Sequence, residues 1–166
     1  SKSKFIAPKA KKGDKPYRYN WQSPILLSSH NQDILYLGSN FLHRSMNQGD
    51  TWTAISPDLT QGGKQGNVAF GTLTTISESP FEFGVLYTGS DDGLVQFSNN
   101  GGANWKVIST TLPQNLWVSR VVASAHKKER VYVTLNGYRN DDFTSYVYVS
   151  EDAGKKLDEI NEKVLR

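Results

Sequence analysis

The chain has no cysteine, so disulfides neither hold it together nor report the compartment it works in. That absence does not exclude export, since bacterial exported proteins often manage without cysteine. No run of eighteen apolar residues occurs, which excludes a membrane-spanning helix, and no secretory hydrophobic region opens the sequence. Histidine is scarce. His30, His43 and His126 are far apart and have no ligand spacing, so neither a metal centre nor a Ser-His-Asp triad is indicated.

Strong charge of one sign is confined to one end. Six lysines (Lys2, Lys4, Lys9, Lys11, Lys12, Lys15) against Asp14 put +5 on residues 1–16, and the overall +3 leaves −2 for the rest. With Pro8, Gly13 and Pro16, that arm reads as a basic tail or linker. No interleaved aromatics follow it, which argues against nucleic acid as a partner. The 166 residues suffice for one ordinary domain with a sizeable core.

What the chain does have is a repeat. Ser45, Asn47, Gly49 and Trp52 recur as Ser98, Asn100, Gly102 and Trp105, and more weakly as Ser150, Asp152 and Gly154, with Leu157 in place of tryptophan. The pattern is Ser-x-(Asn/Asp)-x-Gly-x-x-(Trp/Leu). Asn and Asp bond back to the backbone two residues on, glycine supplies positive φ, and serine bonds within the same turn. Flanked by β-branched and aromatic residues, this is a hairpin connection, and its tryptophan has a large apolar face to bury. A carboxamide at two of the three Asx positions argues against a catalytic carboxylate there.

Around each copy the sequence predicts four short strands. The first set covers 24–29, 34–38, 41–45 and 51–55; the second 71–77, 84–89, 94–98 and 104–108; the third 118–124, 130–135, 146–150 and 156–161. Tyr36, Tyr87 and Tyr132 mark the second strands, and Ile55, Ile108 and Ile160 the fourth. A period near fifty residues with four strands each is a propeller pattern, so the expected class is all-β: three four-stranded antiparallel blades of a partial β-propeller. The blades span residues 17–57, 68–110 and 117–155, and residues 156–166 form a strand or a helix. Register favours the outer strand, whereas Leu157, Ile160, Val164 and Leu165 have helical spacing, with Glu159–Lys163 and Glu162–Arg166 as i,i+4 pairs; the reading leans to a short helix from about Leu157. Gly62-Gly63-Lys64 lacks the spacing and following helix of a phosphate loop, so it is a loop.

Three blades do not close a ring. The expected partners are the remaining blades of a longer chain or other copies of this one.

On these residues the chain resembles Asp-box (bacterial neuraminidase repeat) propellers. The long blades and the Tyr-(Leu/Thr)-Gly-Ser strand ends are similar to sortilin-type propellers and xyloglucan-active glycoside hydrolases, and most of all to large exported bacterial glycosyl hydrolase-like proteins. The resemblance covers residues 17 to about 154 and departs after Lys155. It implies an extracellular, periplasmic or cell-surface location and no cofactor.

Ligands of such folds meet the face made by loops between second and third strands and by blade-to-blade connections. Here Asp91 or Asp92 with Asp141 or Asp142 is a candidate carboxylate pair for glycoside hydrolysis, which needs an acid and a base or nucleophile about 5–10 Å apart. The opposing reading is two solvated turns. Trp117, Tyr138 and Arg139 are candidates to stack on or bond a sugar, and Arg120 to clamp an acidic sugar. The arginine triad and Tyr/Glu pair of sialidases are absent. Two functions follow: a binding or scaffold module for glycans or proteins, or part of a glycoside hydrolase whose other catalytic groups lie elsewhere. The first is favoured, and fold alone does not decide.

Overall fold

The computed structural model describes residues 3–64, 66 and 68–160. Its strands are β1 (Ile25–Leu27), β2 (Leu35–Gly38), β3 (Leu42–Ser45), β4 (Thr53–Ala54), β5 (Leu73–Glu78), β6 (Leu86–Ser90), β7 (Val95–Ser98), β8 (Lys106–Val107), β9 (Trp117–Ala123), β10 (Val131–Gly137), β11 (Asp142–Ser150) and β12 (Asp158–Glu159). They form three separate four-stranded sheets, β1 to β4, β5 to β8 and β9 to β12, with every neighbouring pair antiparallel. A single turn of 3₁₀ helix, Tyr138–Asn140, links β10 to β11, and among the described residues no helix is long and apolar enough to cross a membrane.

The sheets stack face to face, as β5 packs on β1 and β2 while β9 packs on β5 and β6. Side chains alternate across each strand, so the middle sheet, β5 to β8, feeds two cores. Tyr36, Leu42, Leu59, Leu73 and Leu86 fill the space between the first two blades. Tyr87, Val95, Val121, Val131 and Val133 fill the space between the second and third. Burying a side chain of this size contributes about 1.5–3 kcal/mol.

Each repeated turn is held by the same three bonds. Ser45 Oγ accepts the Gly49 amide (2.8 Å), Ser98 Oγ that of Gly102 (3.0 Å) and Ser150 Oγ that of Gly154 (2.8 Å). The Asx oxygen reaches four residues on, rather than two: Asn47, Asn100 and Asp152 accept the amides of Thr51, Asn104 and Lys156, each at 2.9 Å. The serine hydroxyl then donates to that same oxygen (3.0, 3.1 and 2.8 Å). The Asx side chain thus spans the whole turn and fixes the start of the outer strand.

The turn glycines also make the joint between blades. A Cβ on Gly102 would lie 2.2 Å from Ile55 O, and one on Gly154 2.5 Å from Ile108 Cδ1. The Trp105 indole donates to the Ile55 carbonyl at 3.1 Å. Leu157 has no such donor, and packs instead against the second core.

The C-terminal helix expected from Leu157 does not form over Leu157–Ile160. Asp158 and Glu159 pair with Val149 and Tyr148, and the Ile160 amide donates to Val147 O at 2.8 Å. Position in the sheet outweighs the helical spacing of a few apolar residues. The rest of that expected helix, residues 161–166, lies outside the described residues. At the other end, Ile6 to Pro8 of the basic arm lie on the first blade: the Trp52 indole donates to Ile6 O, and Tyr19 Oη to Pro8 O.

Candidate functional site

The loops after β6 and β10 and the connection between the first two blades meet at one end of the sheets. They enclose a cleft of about 340 Å³. Asp91, Asp92, Trp117 and Arg139 line it together with Gln61, Lys64, Phe70, Asn115, Asn136 and Asn140.

Both aspartates follow directly from β6 and are buried, and their oxygens are engaged within the protein. Asp91 accepts the Thr72 amide and the Thr72 hydroxyl, each at 2.9 Å, which ties the turn to the start of β5. Asp92 accepts Ser90 Oγ at 2.5 Å and the Gln61 amide at 2.8 Å, fastening the blade-to-blade connection. Burial raises the Asp92 pKa above the usual carboxylate range, opposed by the Ser90 hydroxyl.

Trp117, the first residue of β9, does not offer a bare ring. The Arg139 guanidinium lies over it, 4.4 Å from its centre. Arg139 also donates to Ala69 O at 3.1 Å and stands 3.9 Å from Asp91 Oδ2, placing a cation beside the buried carboxylate. A second cation, Lys64, sits over Phe70 at 4.2 Å. Asn136 contributes a buried Oδ1 that has no hydrogen-bond partner among the described residues.

The other candidates lie elsewhere. Asp141, in a left-handed conformation (φ 55°), is exposed and does not line the cleft. Asp142 borders a separate shallow depression with Tyr138 and Phe143. Its oxygens accept Tyr146 Oη at 2.6 Å and the Thr144 amide at 3.0 Å, which holds its pKa below the ordinary value. Tyr138 is exposed beside that depression, and Arg120 is exposed on β9. The four carboxylates therefore do not gather: two line the cleft and two do not. Of the histidines, His30 Nε2 lies 2.8 Å from Ser79 O, His43 is buried against Ser39, and His126 is exposed.

Gln61, Lys64, Phe70, Asn115, Asn136 and Asn140 are cleft residues that sequence reasoning did not single out. The only signal was their place in the loops between second and third strands and in the blade-to-blade connections. The lining contains two cations, two buried carboxylates and several amides. Such a surface suits a neutral, hydroxyl- or amide-bearing ligand better than a strongly charged one.

Three stacked four-stranded antiparallel sheets of this kind make a partial β-propeller. Solved structures share that fold. The chain superposes on a GH74 enzyme from Niastella koreensis (TM-score 0.54, 17% identity, 81% of this chain and 17% of that one). The GH74 xyloglucanase of Xanthomonas campestris gives a TM-score of 0.57 at 17% identity, over 80% of this chain and 21% of that one. YCF48 from Cyanidioschyzon merolae gives 0.56 at 16% identity, over 86% of this chain and 36% of that one. The chain thus spans a minor part of each, and identities this low establish the fold alone. No family model matches the chain, and no curated protein matches it.

Proposed function

We propose that this chain is a segment of a larger exported β-propeller protein, serving as a binding or scaffold module for glycans or proteins. Further blades of the parent chain complete the assembly. The cleft over the second and third blades is the ligand seat, and glycans are the favoured ligand class. The carrying observation is a cleft lined by amides and a guanidinium-capped tryptophan. Sugar hydroxyls would exchange hydrogen bonds with those amides. The planar Arg139 group offers both a stacking face and hydrogen-bond donors.

The competing reading, part of a glycoside hydrolase, draws on the GH74 enzymes among the structural neighbours. It is less favoured because Asp91 and Asp92 are already hydrogen-bonded within the protein and the cleft holds no partner from Asp141 or Asp142. A peptide partner is the other possibility within the binding reading, since one YCF48 neighbour is solved bound to a D1 peptide.

Titration of neutral oligosaccharides against tryptophan fluorescence tests the reading. An affinity lost about tenfold in Asn136→Ala and Arg139→Ala is expected. Binding unchanged in both variants would remove the cleft from the function. Turnover of polysaccharide by the parent, abolished by Asp91→Asn, would favour the hydrolase.

A further inference from the structure

An isoleucine of the outer strand is seated at each described blade joint, and the position occurs four times, at Ile6, Ile55, Ile108 and Ile160. Ile55 seats against Gly102 of the next blade and Ile108 against Gly154. Ile6 does the same to the first blade: a Cβ on Gly49 would lie 2.7 Å from Ile6 Cδ1 and 3.3 Å from its Cβ. The indole contact repeats too, Trp52 to Ile6 O as Trp105 to Ile55 O. Pro8 follows Ile6 as Pro57 follows Ile55. By this alignment Lys4 and Phe5 stand where Thr53–Ala54 and Lys106–Val107 stand in β4 and β8. Phe5 is 78% exposed, and no strand lies beside it among the described residues.

The sheet behind it is uncovered at matching positions. By register to the marker tyrosines, Ile25 and Leu27 correspond to Ile76 and Glu78 of β5 and to Val121 and Ala123 of β9. Those four side chains are packed against, or largely covered by, the blade before. Ile25 and Leu27 are 57% and 68% exposed.

We infer that Lys4–Ile6 is the outer strand of a further blade, and that this blade covers the Ile25–Leu27 face of the first sheet. The inference rests on the longer-propeller reading above and specifies its joint. The occupant is more of the same polypeptide. A second copy fits poorly, because its third blade already carries β12 on its outer edge. In the three described blades the isoleucine amide donates to the third strand, at 2.9 Å for Ile55 and Ile108 and 2.8 Å for Ile160. The Ile6 amide then has the same bond to make.

Amide hydrogen exchange on two chains tests this: the 166-residue chain, and the same chain carrying the residues that its reading frame encodes ahead of Ser1. Exchange of the Ile6 amide is expected to slow at least about a hundredfold in the longer chain, as a strand bond in a stable sheet requires. An unchanged Ile6 rate, with protected amides elsewhere in the extension, would overturn the inference and leave the longer propeller standing. An extension with no protected amides would overturn both. Protection of Ile6 that grows with the concentration of the 166-residue chain would assign the face to a second copy and overturn the proposal.

Discussion

The Tyr36 hydroxyl on the first blade donates to Glu78 Oε2 on the second at 2.6 Å, and Ser28 Oγ donates to the other oxygen of the same buried carboxylate at 2.7 Å. At the next joint Tyr87 takes the place of Tyr36, and Ala123 the place of Glu78. The Tyr87 hydroxyl is buried without a partner among the described residues, and burial, with the nearby Glu129 charge, pushes its pKa up to about 12.

The two tyrosines should therefore respond oppositely to loss of the hydroxyl. Tyr36→Phe is expected to cost about 1–3 kcal/mol, since it removes a bond to a buried charge. Tyr87→Phe should be neutral or slightly stabilising, because it removes a buried polar atom with nothing to bond. Urea denaturation of both variants checks this, and equal losses would contradict it.

Adjacent glycines of the second turn separate conformational strain from steric contact. Gly102 has φ 94° and room for a Cβ only 2.2 Å from Ile55 O, whereas Gly101 (φ 70°) has only Arg44 Nη1 nearby, at 3.8 Å. Gly101→Ala should cost about 1 kcal/mol of backbone strain. Gly102→Ala should cost about 3 kcal/mol or more, because the joint must also part. Thermal melts of the two variants make the comparison.

His43 gives the chain an acid limit. It is buried, its Nε2 lies 2.7 Å from Ser39 Oγ, and burial lowers its pKa from 6.5 to about 4. The folded protein holds the neutral ring where the unfolded chain is protonated, so the stabilisation is complete above pH 6.5 and is lost as pH falls towards 4. The loss amounts to about 3 kcal/mol at most. His43→Gln should flatten this part of the stability curve. A wild-type curve that is level from pH 7 to 4 would show that the ring titrates normally.

The cleft carboxylates are distinguishable from the exposed ones by stability. Asp91→Ala strips acceptors from the buried Thr72 amide and hydroxyl and should cost about 2–4 kcal/mol. Asp141→Ala, at an exposed position, should change stability by less than about 1 kcal/mol. Chemical denaturation reads both. A stable Asp91→Ala protein would free that side chain for a chemical role.

Repetition made the blades legible. Three turns with the same serine, Asx and glycine, and three tyrosines at matching strand positions, carry enough local signal to place eleven of the twelve strands. Where the local signal was diluted, the reading strayed. Leu157 and Ile160 look helical because two residues of edge strand cannot display an alternation, and the bonds that decide the matter come from Val147 and Val149. Six lysines hide Ile6, whose role depends on Gly49, 43 positions later. Asp91 and Asp92 read as free turn residues because their partners, Thr72 and Gln61, lie 19 and 31 positions away. The cleft is an assembly of such distant pairings, and only the loops that carry it are legible in the sequence.

The glycine-to-isoleucine seat has a direction: each unit presents a socket on one side and a plug on the other. Units that join in this way can be added, lost or duplicated in evolution without inventing a new interface. The joint itself sets no limit on their number, so ring size must be decided by the small tilt between neighbours and by whatever closes the circle.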